Sequence, residues 1–318
     1  MLGGEIAAAL ADKGHGVIGL VRKNRTVLRG DGEQMTTGDW SGNAPVPGEI
    51  LLVQGDVRDP HLGLDRDGYA RLAAQVDCIV HCAAIVQFDA DPEVYEAVNV
   101  DGTGHVIDFA RARPGAPAAL VSVSTAYVCG ERDGPISEAD ASRPERFANP
   151  YEASKFASEA KVREAMADGL TAAIARPSIV VGRAGDGVIA GFDTIYVAFK
   201  LLAEGRIRTI PSTPDATLNF VPLDHGLKRR GDRSSTSLLA LPCRLPISSS
   251  WCATIRNFPI QSMCRRSSSI RRCSRRSNSV SIAALPHSTP AISSAIRCFW
   301  RIILKVSSAA AGQLPTRP

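Results

Sequence analysis

Acidic residues almost vanish from the carboxyl-terminal stretch of this chain. Residues 226–318 hold 16 Lys+Arg but a single acid, Asp232, for a net of +15. Residues 1–225 hold 21 Lys+Arg and 31 Asp+Glu, for a net of −10, so the overall +5 describes neither part. The stretch also lacks paired cysteines. Its five (Cys243, Cys252, Cys264, Cys273 and Cys298) contain no C-x-x-C pair, which excludes the usual zinc spacings. Long apolar runs are lacking throughout. The segment near Cys298 is broken by Arg297, Arg301 and Lys305, too soon to cross a bilayer. The opening Met1-Leu2-Gly3-Gly4-Glu5 has no basic region followed by an apolar core, so no secretory signal is read. These absences point to a cytoplasmic protein with reduced thiols, and neither a metal nor a membrane is expected as a partner.

Three readings compete for residues 226–318: a nucleic-acid-binding tail, a cysteine-based metal or disulfide module, and a chain read out of frame after about His225. Arginine clusters such as Arg265-Arg266 and Arg271-Arg272 suit phosphates, but no helix pattern or nucleic-acid module surrounds them. Nucleic acid is therefore not expected. Loss of acids, 14 Arg against 2 Lys, and scattered Cys and Trp fit a shifted frame of a GC-rich gene best. On this reading the tail does not pack onto the rest. Its apolar residues hold neither period 2 nor 3.6, and its charge opposes compaction.

What is present upstream is strand and helix in alternation. An alanine-rich helical run over residues 4–13 stops at Gly14-His15-Gly16. Val17–Val21, residues 50–53 and Cys78–His81 are short, nearly continuous apolar runs, as in strands covered on both faces. Residues 24–48 read as loop. Helices are expected over residues 69–75, 92–113, 151–167 and 187–205, and further strands over 118–124, 170–175 and 217–221. The pattern predicts α/β architecture with a doubly wound parallel sheet. Ligands of such sheets lie beyond the strands' carboxyl ends, where Arg22, Asp56, His81, Thr125 and Arg176 all fall.

Tyr151 and Lys155 are four residues apart in a helix-forming run, so phenol and ammonium share a face. A nearby ammonium favours phenolate and suits the phenol to exchange a proton with a carbonyl or alcohol. Thr125, at the end of a strand, can hydrogen-bond a substrate carbonyl oxygen. Leu2-Gly3 reads as the tail of a glycine-rich dinucleotide motif whose strand and first two glycines would lie before Met1. Arg22, after the second strand of such a unit, suits the 2′-phosphate of NADP; it also reads as an ordinary surface arginine. Asp56 is either an acceptor for an adenine amino group or an Asx-turn aspartate. His81-Cys82-Ala83-Ala84 reads as small-residue backbone beside a cofactor. A metal on His81 and Cys82 is rejected, because strand neighbours point to opposite faces.

In order, Gly55-Asp56-Val57, His81-Cys82-Ala83-Ala84, Asn99-Val100-Asp101-Gly102-Thr103, Ser124-Thr125-Ala126-Tyr127-Val128, Tyr151-x-x-x-Lys155 and Arg176-Pro177-Ser178 resemble the extended short-chain dehydrogenase/reductase family. The resemblance covers Gly3 to about His225. The run from Gly55 through Gly63-Leu64, with residues 76–81, is similar to the thioester-reductase and fatty acyl-CoA reductase branch. Sugar epimerases and dehydratases are the nearest rivals.

The resemblance implies a Rossmann-like fold lacking its amino-terminal strand and ending in an irregular tail. It implies Thr125, Tyr151 and Lys155 as the catalytic set, with Lys155 lowering the Tyr151 pKa. It implies a cofactor lined by Gly3, Arg22, Asp56, Val57, Ala83, Ala84, Asn99, Tyr151, Lys155 and Pro177. Residues 1–184 would be the dinucleotide-binding domain, 185–225 a partial substrate-binding region, and 226–318 the tail. The expected activity is reduction of a thioester or aldehyde carbonyl with NADP, NAD being the alternative cofactor. The substrate would be a small-molecule or carrier-bound acyl group. The alternatives are a sugar-nucleotide epimerase or dehydratase, and a truncated, non-catalytic dinucleotide-binding remnant.

Overall fold

The structure, a computed structural model, describes residues 2–132, 136–191, 194–206, 217–224 and 245–246. Helix α1 (Leu2–Asp12) leads into β1 (Val17–Val21). A two-residue strand β2 (Gly38–Asp39) lies inside the expected loop, followed by β3 (Ile50–Gln54), α2 (Arg66–Gln75) and β4 (Cys78–His81). The single helix expected over residues 92–113 is three pieces: α3 (Pro92–Tyr95), a π-helical turn (Glu96–Asp101) and α4 (Gly102–Arg111). Then come β5 (Ala119–Val123), α5 (Pro150–Ala167), β6 (Ala172–Ala175) and a short β7 (Ile179–Val181) that the sequence pattern did not announce. Helix α6 (Thr194–Ala203), β8 (Thr217–Leu218), β9 (Phe220–Pro222) and β10 (Leu245–Pro246) complete the elements.

Helix α6 starts later than the expected residue 187. Gly187 has φ 70°, and its N–H donates to Arg183 O at 2.8 Å, so the chain is turning there rather than winding into a helix.

Two parallel three-stranded units carry the fold, in the orders β1–β3–β2 and β4–β5–β6. Val17 stands opposite Ile50, and Cys78 opposite Ala119. Side chains alternate across the first unit. Val17, Val21, Ile50 and Leu52 face Ala7 and Ala11 of α1. Ile18, Leu20 and Val53 join a larger core with α2, α4 and α5, built around Leu72, Val106, Phe109, Leu120 and Val162. That core also takes Ile79 of β4, so both units share it. Strands apolar at nearly every position are the consequence of this two-sided cover.

Among the described residues, strand β1 pairs only with β3, and β4 only with β5. The doubly wound order puts one further strand between these two edges. Among the described residues no strand takes that seat, and β1 is half-buried along its whole length where its neighbour β3 is buried over four residues. A smaller unit pairs β7 with β9 and packs Val181 and Phe220 against Tyr196 of α6. The expectation that residues 226–318 form no packed domain lies outside the described residues. Of that stretch only β10 is described, pairing antiparallel with β8.

Candidate active site

The start of α5 is fixed by its own side chains. Asn149 caps it, Oδ1 accepting from Glu152 N at 3.0 Å, and Pro150 takes the first helical position. Glu152 reaches back to accept from Ala148 N at 3.0 Å and from Asn149 Nδ2 at 3.1 Å. Tyr151 is thereby set in the first turn and Lys155 one turn on. Lys155 is buried and its Nζ donates to Val123 O, the last carbonyl of β5, at 2.8 Å. Thr125 follows two residues later. It is buried, its hydroxyl donating to Pro177 O at 3.4 Å and accepting from Tyr127 N at 3.3 Å. The carboxyl ends of β5 and β6 thus meet α5 where the three catalytic candidates lie.

Burial pushes Lys155 down to about 8, with the charge of Glu159 working the other way. Burial, then the Glu152 charge, pushes Tyr151 up to about 12. This departs from the expected lowering by Lys155. The ammonium is seated on the Val123 carbonyl and is not among the groups that shift the phenol. Tyr151 therefore keeps its proton at neutral pH, and the state described is that of an acid.

A buried polar chain holds α5 in register. Asn99, fully buried in the π-helical turn, donates from Nδ2 to Ser154 Oγ at 2.8 Å, and Ser154 Oγ donates to Tyr151 O at 2.7 Å. Thr103 Oγ1 donates to Asn99 O at 2.7 Å. Its one proton being spent, it accepts from Ser158 Oγ at 2.7 Å and from His81 Nε2 at 3.0 Å, which assigns the ring proton to Nε2. His81 is held neutral, pushed down to about 3 by burial and the Lys155 charge. Glu159, two turns beyond Glu152, accepts from Arg176 Nε at 3.0 Å, from Arg176 Nη2, and from Arg163 Nη2 at 2.8 Å.

Asn99 was expected beside the cofactor. Its amide is committed to protein: besides Ser154, Oδ1 accepts from Ile85 N at 2.8 Å and Nδ2 donates to Ile85 O at 3.1 Å. It acts on the loop after β4, which carries Ala83 and Ala84. Sequence reasoning missed Ser154, Ser158 and Glu159. Their signal was a helix whose buried positions (Glu152, Ser154, Lys155, Ser158 and Glu159 among them) are polar, where packing alone would put an apolar stripe.

Among the other cofactor candidates, Arg22 follows β1, Asp56 and Val57 follow β3, Ala83 and Ala84 follow β4, and Pro177 follows β6. A β-carbon at Gly3 would stand 2.9 Å from Cys82 Sγ, so the first turn of α1 lies close to the residue that follows β4. Arg22 follows β1, and its charge acts on Asp56, two residues past β3. The Asp56 carboxylate closes an Asx turn, accepting from Arg58 N at 3.0 Å, and grips the Arg58 guanidinium at 2.7 Å, which holds it below the usual carboxylate range. Val57 O accepts from His105 Nδ1 at 2.8 Å. A glycine in the first turn of α1, an arginine after β1 and a buried lysine on α5 suit a nicotinamide dinucleotide. No group of three or more His, Cys, Asp or Glu able to hold a metal occurs among the described residues, and none of their helices is long and apolar enough to cross a membrane.

Comparison with known proteins agrees with this geometry. A family model described as "Male sterility protein", an NAD-binding family, matches residues 10–229. Peramine synthetase A of Epichloe festucae (strain Fl1) is 33% identical over 156 residues, 46% of this chain and 5% of that protein. Fatty acyl-CoA reductase 8 of Arabidopsis thaliana is 34% identical over 102 residues, 32% of this chain and 20% of that protein. The chain thus spans a small part of the curated relatives it matches. The crystal structure of the terminal R domain from the myxalamid PKS-NRPS biosynthetic pathway superposes with TM-score 0.51 and 32% identity, over 56% of this chain and 45% of that one. A UDP-glucuronic acid 4-epimerase from Bacillus cereus superposes with TM-score 0.51 at 17% identity, over 71% of this chain and 68% of that one, and shares the fold alone.

Proposed function

Because the chain belongs to the male sterility protein family, in the thioester-reductase and fatty acyl-CoA-reductase branch of the extended short-chain dehydrogenase/reductases, we propose that it reduces an acyl thioester, held on a carrier protein or on coenzyme A, to the aldehyde. The observation that carries this reading is the placing of Tyr151 in the first turn of α5, one helical turn before the buried Lys155, whose Nζ is seated on the last carbonyl of β5.

The nicotinamide, when bound, supplies a hydride to the carbonyl carbon. Tyr151 gives its proton to the carbonyl oxygen as charge develops there. Thr125 turns its hydroxyl from Pro177 O toward the same oxygen and orients it. Lys155 holds the nicotinamide ribose and restores the proton balance near the phenol. The resulting hemithioacetal expels the thiol and leaves the aldehyde, so one hydride and one proton are consumed per thioester cleaved. Gly3, Arg22, Asp56, Val57, Ala83, Ala84 and Pro177 line the cofactor, with Asn99 fixing the loop beside it. Arg22, with no acid adjoining it, favours NADP over NAD. Residues 1–184 form the cofactor domain and 185–225 the start of the substrate region.

The test is to incubate the chain with NADPH and an acyl-CoA, and to follow cofactor oxidation and aldehyde together. Equal amounts of both are expected. Turnover of a UDP-sugar with no net oxidation of the cofactor, and none of the acyl-CoA, would replace this reading with an epimerase.

A further inference from the structure

The loop after β4 carries two large apolar side chains into solvent. Val86 is 57% exposed and Phe88 49%. The loop beneath them is firmly built. Asn99 clamps Ile85 through both its N–H and its C=O, at 2.8 and 3.1 Å. Tyr95, buried in α3, donates its hydroxyl to Gln87 O and accepts from Ala90 N at 3.4 Å. Backbone pinned at positions 85, 87 and 90 holds Val86 and Phe88 outward at a fixed place. That place adjoins the proton donor, the Phe88 ring lying 6.0 Å from the Tyr151 ring and tilted by 51°.

We propose that Val86 and Phe88 are the seat of the substrate's aliphatic acyl chain, the segment next to the carbonyl that Tyr151 protonates. The proposal rests on the thioester-reductase reading and names which part of that substrate meets which side chains. A sugar's hydroxyls gain no partner from the Val86 and Phe88 side chains, whereas methylene groups laid on them lose only water. The carrier's polar arm has no hydrogen-bonding side chain to meet on Val86 or Phe88, so the acyl end is the better occupant.

The experiment is calorimetric titration of the chain with dodecanoyl-CoA and with CoA, for the natural protein, Phe88→Ala and Phe88→Leu. The natural protein is expected to bind dodecanoyl-CoA about tenfold or more tighter than CoA, the scale of covering half a phenyl ring and a valine. Phe88→Ala should erase most of that difference and Phe88→Leu should keep most of it. Thermal melting should not change, because the ring is half in solvent. An undiminished preference in Phe88→Ala, no preference in the natural protein, or a concentration-dependent dimer abolished by Phe88→Ala would each overturn the proposal. Turnover separates the two readings. Dodecanoyl-CoA that binds through Phe88 but is not reduced contradicts the reductase and leaves the seat. Reduction with a KM equal in the natural protein and Phe88→Ala at every chain length contradicts the seat and leaves the reductase.

Discussion

The unit built on β1 and the unit built on β4 finish their strand ends in opposite ways. After β1 and β3, the polar residues are Arg22, Asp56 and Arg58; Arg22 and Arg58 are exposed, and the Arg58 guanidinium pairs with the half-buried Asp56. After β4, β5 and β6, they are His81, Thr125 and Arg176, buried or half-buried, with His81 bonded to Thr103 of α4, Arg176 to Glu159 of α5 and Thr125 to the Pro177 carbonyl. On the proposed function, the difference follows from what each half would do. Recognising a charged nucleotide needs a cation in reach, and water may share the site. Moving one proton to one oxygen needs the phenol held within a fraction of an ångström, which buried and fully partnered polar groups can supply.

If this contrast is right, substitutions in the two halves should differ sharply in cost. Glu159→Gln leaves the Arg176 guanidinium uncompensated beneath α5 and should cost about 3–5 kcal/mol in urea unfolding. Asp56→Asn, its counterpart in the other half, should leave the unfolding midpoint unchanged within error. Comparable losses would erase the comparison.

A smaller effect is expected at Asn99. Asn99→Leu strands the Ile85 N–H and C=O and should cost about 1–3 kcal/mol. It should also lower turnover more than cofactor affinity, because the loop and Ser154 shift while the strand ends do not. Separate measurements of kcat and cofactor Kd check this.

Lys155 gives a signature in pH. Its ordinary 10.5 falls to about 8 on folding, so between those values the unfolded chain keeps a proton that the folded chain has lost. Stability should therefore rise with pH from about 8 to 10.5. Lys155→Met should flatten that rise and be the more stable protein at neutral pH, while losing activity. Unfolding midpoints across the range read it directly.

The smallest effect belongs to the exposed half. Arg22→Ala should weaken NADP binding by about tenfold and NAD binding little, and added salt should shrink the gap. Equal weakening of both would remove Arg22 from the 2′-phosphate.

Much of this arrangement was legible beforehand, for identifiable reasons. Val17–Val21 and Cys78–His81 are apolar at nearly every position because helices cover both faces, and they were found to the residue. The Tyr151–Lys155 spacing needed only helix geometry. The π-helical turn at Asn99 was not legible, because its cause is a set of tertiary hydrogen bonds to Ile85 and Ser154, 14 and 55 residues away. Strand β7 is three residues long and takes its partner from β9, about 40 residues on, so no local pattern marks it. The phenol's upward shift was misjudged because helical spacing puts Lys155 on the right face but does not say which carbonyl it will choose.

The central claim is that Tyr151 gives the proton. It is tested most directly by single-turnover reduction of an acyl-CoA with deuterated NADPH, in the natural protein and in Tyr151→Phe. The rate of deuterium transfer should fall by about 10²–10⁴-fold in Tyr151→Phe, with NADPH bound as tightly as before. Transfer at a near-natural rate in Tyr151→Phe would contradict it, and the proton would then have to come from another group at the end of β5.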